Sequence, residues 1–414
     1  IDRYPVFVPN ALPNEEIEYK LIKVNKNFAI GKLLEIHKES AERVTPPCVY
    51  YNKCGGCQLQ HLDYQSQLTM KRNQVVNLFH RKGKFEQTVI NDTIGMMNPW
   101  NYRNKSQIPV GLNKEQDAIM GFYRQRSHDI IDMDECIIQD SIQNQLMRSI
   151  RALLKEHDVS IYNERKKQGL LRHVIIRVGH VSREVMIIFV TNGKKFKQAK
   201  PIVEKLVNAM PNIKSVIQNI NETHSNVIMG KTSKTLYGKD EIIDELDSVE
   251  FEISDQSFYQ INSSQTVKLY NQAMKYAQLT GEETVLDTYC GIGTIGLYMA
   301  DKAKHVYGVE VVPAAIEDAK KNAQLNGYDN TTFVCGKAES VILDWKQQGI
   351  QPDVVMVDPP RKGCDETFLN TLLELNPKRI VYISCNPATQ QRDAQILAQN
   401  YALKEITPVD MFPQ

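Results

Sequence analysis

From about residue 256 onward, the chain alternates short apolar runs with amphipathic stretches, and this alternation constrains the fold most. Four apolar runs predict strands, at 284–287, 305–310, 354–358 and 379–384. Two helical patterns separate the earlier runs, at 294–302 and 313–326. Strands that alternate with helices form a parallel sheet covered on both faces. We therefore predict a doubly wound α/β domain, which binds its ligands at the carboxyl ends of the strands.

A glycine-rich turn follows the first of these strands and reads Asp287-Thr288-Tyr289-Cys290-Gly291-Ile292-Gly293. Gly291 and Gly293 let the backbone approach a ligand closely. Glu310 ends the second strand about 20 residues later, where an acid accepts hydrogen bonds from ribose hydroxyls. Cys290 stands where a dinucleotide fingerprint has its first glycine, so S-adenosylmethionine (SAM) fits better than NAD. The competing interpretation is a tight turn with a capping carboxylate.

Two further motifs follow the later strands. The sequence Asp358-Pro359-Pro360-Arg361-Lys362-Gly363 comes after one strand, and Ser384-Cys385-Asn386-Pro387 comes after the next. A cysteine that follows a buried strand and precedes Asn-Pro is presented at the sheet edge, although a cysteine can also be a small buried hydrophobe. Arg361 and Lys362 either bind phosphate or lower the pKa of the thiol, or they belong to a solvated loop.

These three sites together predict a methyl transfer through a covalent intermediate. Uracil C5 is a poor nucleophile, but addition of a thiolate to C6 turns C5 into a carbanion equivalent that attacks the SAM methyl group. We predict that Cys385 is this nucleophile and that Asp358 holds the pyrimidine edge. A base must then remove the C5 proton before the thiolate is eliminated.

In these motifs the chain resembles the SAM-dependent RNA 5-methyluridine methyltransferases, specifically the RumA-like ribosomal RNA enzymes. Phe258-Tyr259-Gln260-Ile261-Asn262 resembles the family segment in which a glutamine contacts SAM. The cofactor ligands that the resemblance implies are Gln260, Tyr289, Glu310 and Asp358. The resemblance covers essentially the whole chain. It implies methylation of C5 of a uridine in 23S ribosomal RNA through an adduct between Cys385 and C6.

The resemblance also bears on the general base. In the family, this base is a glutamate just beyond an aspartate–Met-Phe-Pro segment, and here Asp410-Met411-Phe412-Pro413-Gln414 closes the sequence. Ile1 is not an initiator methionine, so we expect both ends to be trimmed. We expect this polypeptide to methylate its substrate and then stall as a covalent adduct. Rapid multiple turnover would contradict that expectation.

The N-terminal half contains a cysteine cluster, formed by Cys48, Cys54 and Cys57 with Cys136 as a distant fourth member. Clustered, reduced cysteines are typical of metal ligands. Four thiolates bind zinc or a [4Fe–4S] cluster. The spacing of the cysteines alone does not distinguish zinc, the cluster and free thiols. Gly55-Gly56 lets the backbone wrap around a bulky group, and the family resemblance implies a [4Fe–4S] cluster on this pattern.

The sequence predicts three domains. Residues 1–45 read as short strands and resemble a TRAM domain, an OB-like RNA-binding barrel, here without its leading strand. Pro46-Pro47 marks a boundary, and 46–255 is predicted as an α+β domain that carries the iron–sulfur cluster and binds RNA. Residues 256–414 form the predicted Rossmann-like SAM methyltransferase domain.

Charge and hydropathy restrict the partners. The net charge is +1, so an RNA-binding surface must be local. Local basic patches lie at 71–72, 81–84, 100–105 and 165–167. Each alone is more often a solvated face, but a nucleobase-modifying site favours at least one RNA contact, with a single-stranded or flipped-out uridine. No apolar stretch approaches the roughly 20 residues of a membrane span, and no signal peptide is recognisable. We expect a cytoplasmic monomer.

Three alternatives compete with this prediction. The tRNA 5-methyluridine enzymes share the catalytic half, but we expect them to lack the TRAM domain and the four cysteines, which favours ribosomal RNA. Cytosine-5 methyltransferases carry a Pro-Cys nucleophile on the loop of Asp358, whereas Cys364 here lies beyond Gly363. A non-catalytic RNA-binding assembly factor would retain only a relic of the SAM site.

Overall fold

A computed structural model describes residues 4–414, and its N-terminal part is a three-stranded sheet. The strands are β1 (Val6–Phe7), β2 (Glu16–Val24) and β3 (Ala29–Lys38). β3 lies in the middle, parallel to β1 and antiparallel to β2. The predicted short strands are therefore present, whereas in place of the predicted barrel the described part of 1–45 forms a three-stranded sheet. Residues 1–3 of that predicted domain lie outside the described residues.

A helix follows the cysteine segment. α1 (Tyr64–Val76) begins at Asp63, whose carboxylate accepts a 3.1 Å hydrogen bond from the Ser66 N–H, the usual way to satisfy an unpaired amide at a helix start. It continues as a π-helical stretch over Asn77–Lys82. The short strand β4 (Val89–Ile90) comes after it.

The middle of the chain is built on a seven-stranded sheet of order β11-β10-β9-β8-β5-β6-β7. Two helices, α2 (Ser141–Glu156) and α3 (Ala199–Ala209), pack on one face, and a hairpin of β12 (Glu241–Leu246) and β13 (Val249–Ser254) follows the sheet. The seven strands are β5 (Lys105–Leu112), β6 (Ala118–Tyr123), β7 (Ile130–Asp132), β8 (Leu171–Val178), β9 (Val185–Thr191), β10 (Ile213–Ile220) and β11 (Thr232–Gly238).

The C-terminal part is a five-stranded parallel sheet of order β16-β15-β14-β17-β18. Its strands are β14 (Thr284–Thr288), β15 (His305–Glu310), β16 (Thr331–Cys335), β17 (Val354–Val357) and β18 (Arg379–Tyr382). Its helices are α4 (Ser263–Ala277), α5 (Thr294–Met299), α6 (Pro313–Leu325), α7 (Ala338–Gln347), α8 (Glu366–Leu375) and α9 (Pro387–Leu397). A short 3₁₀ turn, Ala300–Lys302, ends the predicted helix at 294–302.

Helices cover both faces of this sheet, as predicted. Successive strand residues point to opposite faces, so Val285 packs in the core with α4, α5 and α6, while Leu286 packs with α7, α8 and α9. The strand order reverses direction between β14 and β17, and the crevice at such a point is where doubly wound sheets bind ligands. The hydrophobic core on the Val285 side also contains Ile188 and Phe251, so it continues into the middle sheet across residue 255.

The last residues return to the N-terminal half. β19 (Glu405–Ile406) pairs in parallel with β4. The main-chain carbonyl of Gln414 accepts hydrogen bonds from the N–H groups of Gln58 and Leu59, at 2.8 and 2.9 Å. The segment that contains Cys48, Cys54 and Cys57 is therefore hydrogen-bonded, directly after Cys57, to the end of the methyltransferase half. Among the described residues, no helix has the length and hydropathy that a membrane span requires.

Candidate active site

The turn after β14 is held in a conformation that exposes its backbone. Tyr289, Gly291 and Gly293 all have positive φ, at 61°, 55° and 83°. The carboxylate of Asp287, fully buried beneath the turn, accepts a 2.8 Å hydrogen bond from the Gly296 N–H at the start of α5. A Cβ atom at Gly291 would meet nothing within 4 Å. The turn therefore presents open space to a ligand.

Glu310 joins this turn to the next strand end. One of its carboxylate oxygens accepts hydrogen bonds from the N–H groups of Val311 and Val312, at 2.7 and 3.1 Å. The other accepts a 3.3 Å hydrogen bond from the Gly291 N–H. The structure thus brings together the predicted glycine turn and the predicted acid, and it fixes the orientation of the carboxylate.

Three carboxyl groups lie close together at this end of the sheet. Burial raises the pKa of Asp287 to about 8, and the nearby charges of Asp358 and Glu310 add to the rise. Burial also raises the pKa of Asp358 to about 7. The second carboxylate oxygen of Asp287 is buried without a hydrogen-bond partner among the described residues. A cationic ligand that neutralises this cluster would be favoured, because it offsets the desolvation of the carboxylates.

Cys385 and Asp358 lie on neighbouring strand ends. Asp358 directly follows β17, and Cys385 is the third residue after β18, which pairs in parallel with β17. Asn386 caps α9 through a 3.1 Å hydrogen bond from the Ala388 N–H, and its side-chain amide donates to the Arg361 carbonyl at 3.2 Å. The Cys385 side chain is exposed, as the sequence predicts, and not packed in the core.

The predicted glutamine segment reaches the domain from the middle sheet. The Gln260 carbonyl accepts a 2.8 Å hydrogen bond from the Asn104 side chain, and the Ile261 carbonyl accepts one from the Asn104 N–H, also at 2.8 Å. Phe258 in the same segment is 72% exposed, so its ring is available for stacking. Tyr289 packs edge-on against Phe368, with ring centroids 5.5 Å apart, which fixes its ring beside the turn.

All four predicted metal-ligating cysteines line one cavity of about 390 Å³. Burial raises the pKa of Cys57 to about 11 and that of Cys136 to about 12. The Gly56 N–H donates to the Cys54 sulfur at 3.3 Å. Cys48, Cys54, Cys57 and Cys136 are therefore brought together although Cys136 lies far along the chain.

The spacing of the four sulfurs bears on the type of metal centre. A tetrahedral zinc with Zn–S bonds of about 2.3 Å needs sulfurs roughly 3.8 Å apart. In the described part of the chain, the one group of three or more ligands whose atoms all lie within 4.8 Å is Glu18, Glu35 and His37, which are exposed. In any three of the four cysteine sulfurs, at least one pair is thus more than 4.8 Å apart, which is wider than around one zinc ion. Wider spacing suits a [4Fe–4S] cluster, in which each thiolate binds a different iron.

Some residues that shape the site were not predicted from the sequence. Asn104 belongs to the patch at 100–105 that the sequence assigns to RNA contacts, so nothing marked it as a support for Gln260. Asp393 is fully buried in α9. A signal was available for Asp393, because a carboxylate on the buried face of an amphipathic helix requires partners.

Comparison with known proteins identifies the class of protein. The sequence model described as tRNA (uracil-5-)-methyltransferase matches residues 63–414. A protein of Staphylococcus aureus strain MSSA476, named an RNA methyltransferase, is 68% identical over 100% of this chain and 91% of its own length. A protein of Staphylococcus epidermidis strain ATCC 12228, with the same name, is 70% identical with the same coverage. The chain belongs to the tRNA (uracil-5-)-methyltransferase family of SAM-dependent RNA methyltransferases, which confirms the resemblance given by its motifs.

A solved structure extends the comparison to the whole chain. The tRNA (uracil-54, C5)-methyltransferase of Pyrococcus abyssi, in complex with S-adenosyl-L-homocysteine (SAH), matches with a TM-score of 0.81 and 28% identity. The match covers 99% of this chain and 93% of that protein. Because a tRNA enzyme matches nearly the whole chain, the N-terminal and cysteine segments do not separate ribosomal from transfer RNA targets as we expected.

Proposed function

We propose that this chain methylates C5 of a uridine in RNA through a covalent adduct between the Cys385 sulfur and C6. One observation carries the proposal: an exposed Cys385 lies at the same sheet edge as Asp358, on the neighbouring strand end. A thiol presented in this way can reach a uracil ring held against the Asp358 loop. Nucleophilic catalysis of this type divides one difficult step into two easier ones.

The proposed reaction converts uridine and SAM into 5-methyluridine and SAH, with a general base as the acceptor of the C5 proton. The Cys385 thiolate bonds to C6, and the electron pair of the C5–C6 double bond moves into the ring as an enolate. C5 then attacks the methyl carbon of SAM, and SAH leaves with the electrons of the broken S–C bond. A base removes the C5 proton, and the Cys385–C6 bond breaks as the double bond returns. Asp358, whose pKa is about 7 because it is buried, can exchange a proton with the pyrimidine edge near neutral pH.

The same sheet edge supports the proposed SAM site. Glu310 would accept hydrogen bonds from the ribose hydroxyls, and the turn from Gly291 to Gly293, which is open at Gly291, would lie along the methionine part. Tyr289 and Gln260 would complete the pocket with Asp358. The sulfonium and ammonium charges of SAM match the cluster of carboxyl groups around Asp287.

For the cysteine cavity we propose a [4Fe–4S] cluster held by Cys48, Cys54, Cys57 and Cys136. The width of the site supports the cluster over zinc. The Gly56 N–H bond to the Cys54 sulfur supports a thiolate there, since such bonds stabilise charge on sulfur. When bound, the cluster would link the segment of Cys48, Cys54 and Cys57 to Cys136 through iron–sulfur bonds. We also propose that the first 45 residues are a TRAM-like domain and that the chain divides into the three domains predicted from the sequence.

We propose that the protein is a monomer whose substrate is 23S ribosomal RNA. It would act on a single-stranded or flipped-out uridine of that RNA. Transfer RNA is the second candidate, favoured by the whole-chain match to the Pyrococcus abyssi tRNA enzyme. In either case the exposed Phe258 ring, next to Gln260, is available to stack on an unpaired base.

Covalent trapping tests the reaction and the substrate together. RNA substituted with 5-fluorouridine should form a denaturation-resistant adduct with the protein and SAM, because fluorine at C5 cannot leave as a proton does. We expect the adduct with a 23S fragment, and its loss in Cys385→Ala but not in Cys335→Ala, whose exposed thiol lies at the end of β16. Trapping by tRNA alone would establish the second candidate. No adduct with any RNA, despite measurable SAM binding, would refute the proposed reaction.

A further inference from the structure

The loop that carries Asp358 is fastened to the helix that follows Cys385. Four residues on one side of α9 and its cap contact this loop: Asn386, Thr389, Arg392 and Asp393. Asn386, Thr389 and Asp393 are spaced by three and four residues, and Arg392 is adjacent to Asp393, so the four lie along one side of the helix. Two of them, Asn386 and Thr389, donate to the Arg361 carbonyl at 3.2 and 3.4 Å.

Asp393 is the centre of this attachment. It is fully buried, and one carboxylate oxygen accepts hydrogen bonds from the Cys364 N–H at 2.8 Å and the Tyr382 hydroxyl at 2.7 Å. The other oxygen accepts two hydrogen bonds from the Arg392 guanidinium, at 2.6 and 2.8 Å. Both carboxylate oxygens of this buried acid thus accept hydrogen bonds, from the loop, from β18 and from its own helix.

Arg392 extends the attachment to the loop backbone. Its guanidinium donates to the carbonyls of Lys362 and Cys364, at 3.0 and 3.3 Å. Gly363, between them, has a φ of 79°, and a Cβ atom there would come within 2.6 Å of Arg392 and 2.7 Å of Asp393. The loop therefore lies directly against the pair, and glycine is required where it crosses.

The Asp358 carboxylate has no hydrogen bond of its own to the described residues 4–414 that would fix it. Its position follows from the loop that continues from it and from β17 behind it. Since Cys385 directly precedes the α9 cap, the same helix sets both partners of the proposed reaction. An error of about 1 Å between reacting groups costs on the order of 100-fold in rate.

We propose that Asp393, together with Arg392, is a positioning residue that sets the Asp358 loop against Cys385 for adduct formation. This inference rests on the proposed covalent reaction. It assigns no contact with substrate to either residue. Their effect passes through the backbone of residues 361–364.

The test is the first-order rate of trapping on 5-fluorouridine RNA at saturating RNA and SAM. Asp393→Asn keeps the size of the side chain but replaces one acceptor oxygen by a donor NH₂ group. This group must face another donor, either Arg392 or the Cys364 N–H, so that hydrogen bond is lost. We expect this variant to trap roughly 10- to 100-fold more slowly, with SAM and RNA dissociation constants within twofold of the wild type. Arg392→Gln, in an exposed side chain, removes the loop bonds with less risk to folding and should slow trapping in the same direction.

Leu397→Ala is the matched control, since Leu397 lies in the core on the same helix and its apolar side chain cannot hydrogen-bond to the loop. It should lower the melting temperature and leave the saturating trapping rate unchanged. Trapping by Asp393→Asn at the wild-type rate would overturn the proposal. So would a slowing no greater than that of Leu397→Ala at equal loss of stability, or an effect confined to the SAM dissociation constant. Absence of trapping by the wild type would instead refute the proposed function itself.

Discussion

The side-chain amide of Asn104 donates a 2.8 Å hydrogen bond to the main-chain carbonyl of Gln260, 156 positions away. The same amide donates to the Ser263 hydroxyl at 3.0 Å. Asn104 precedes the first strand of the middle sheet, and Gln260 precedes the first helix of the methyltransferase half. The proposed cofactor segment is therefore supported by the part of the chain that carries the cysteines.

Replacing Asn104 by Ala should weaken SAM binding. The substitution releases the Gln260 carbonyl and the Ser263 hydroxyl, and each such bond contributes about 1 kcal/mol. We expect the SAM dissociation constant to rise about 5- to 10-fold by isothermal titration calorimetry. Asn326→Ala is the control, because the Asn326 amide also makes two hydrogen bonds, to the carbonyls of Glu250 and Asn322, away from the site. Equal weakening in both variants would contradict a specific role for Asn104.

Glu310→Gln should weaken SAM binding more strongly. Both carboxylate oxygens of Glu310 accept hydrogen bonds from backbone N–H groups, so the amide of a glutamine must face a donor. The ribose would also lose a charged acceptor. We expect at least a tenfold rise in the SAM dissociation constant, or about 1.4 kcal/mol. RNA affinity measured by filter binding should not change, and Glu317→Gln, an exposed acid paired with Lys320 on α6, should bind SAM as the wild type does.

SAM affinity should rise with pH between about 6 and 8. In the free protein, burial raises the pKa of Asp358 to about 7 and that of Asp287 to about 8. Both groups therefore hold protons below these values, and a cationic ligand favours their ionised forms. Binding then releases protons at low pH, and affinity increases up to tenfold per pH unit for each proton released.

Calorimetry in two buffers of different ionisation enthalpy would count these protons. SAH lacks the sulfonium charge, so its affinity should depend less on pH. Asp358→Asn should flatten the lower part of the profile. A SAM affinity that is constant from pH 6 to 8, or falls, would contradict the role given to these carboxyl groups.

Cys54→Ser should remove the proposed metal centre. The wild type is expected to be brown and to contain four irons per chain, and the variant should lose the visible absorbance and melt at a lower temperature, since metal links stabilise the fold that forms them. Cys335→Ser, at an exposed cysteine outside the cavity, should keep both properties. A colourless wild-type protein with one zinc per chain would contradict the [4Fe–4S] proposal.

The strand-end residues of the site could be predicted because each follows an apolar run. A parallel sheet collects the carboxyl ends of its strands at one edge, so Glu310, Asp358 and Cys385 could be placed together without knowledge of the helices between them. The cysteines were predictable for a different reason, since three of them lie within ten positions. In both cases a local pattern and one general rule were sufficient.

The supporting contacts were not predictable in this way. Asn104 and Gln260 meet only because the middle sheet packs against the methyltransferase half, and neither residue lies in a periodic pattern that marks the contact. Asp393 could be expected to have partners, but their identity depends on how the loop after Asp358 crosses α9. The barrel expected near the N-terminus depends on strand pairings that no local sequence pattern fixes.

The hydrogen bonds from Gln58 and Leu59 to the Gln414 carbonyl also have a consequence for the order of folding. During synthesis the cysteine segment emerges early, but its partner is made only after more than 300 further residues, as the contact between Gln67 and Gln414 spans 347 positions. Contacts this distant along the chain form late. The entropic cost of closing so large a loop grows only with the logarithm of its length. The contact with Gln414 therefore forms slowly, but its loop length lowers its stability only a little. The contact between this segment and the methyltransferase half therefore forms only after Gln414 has been made.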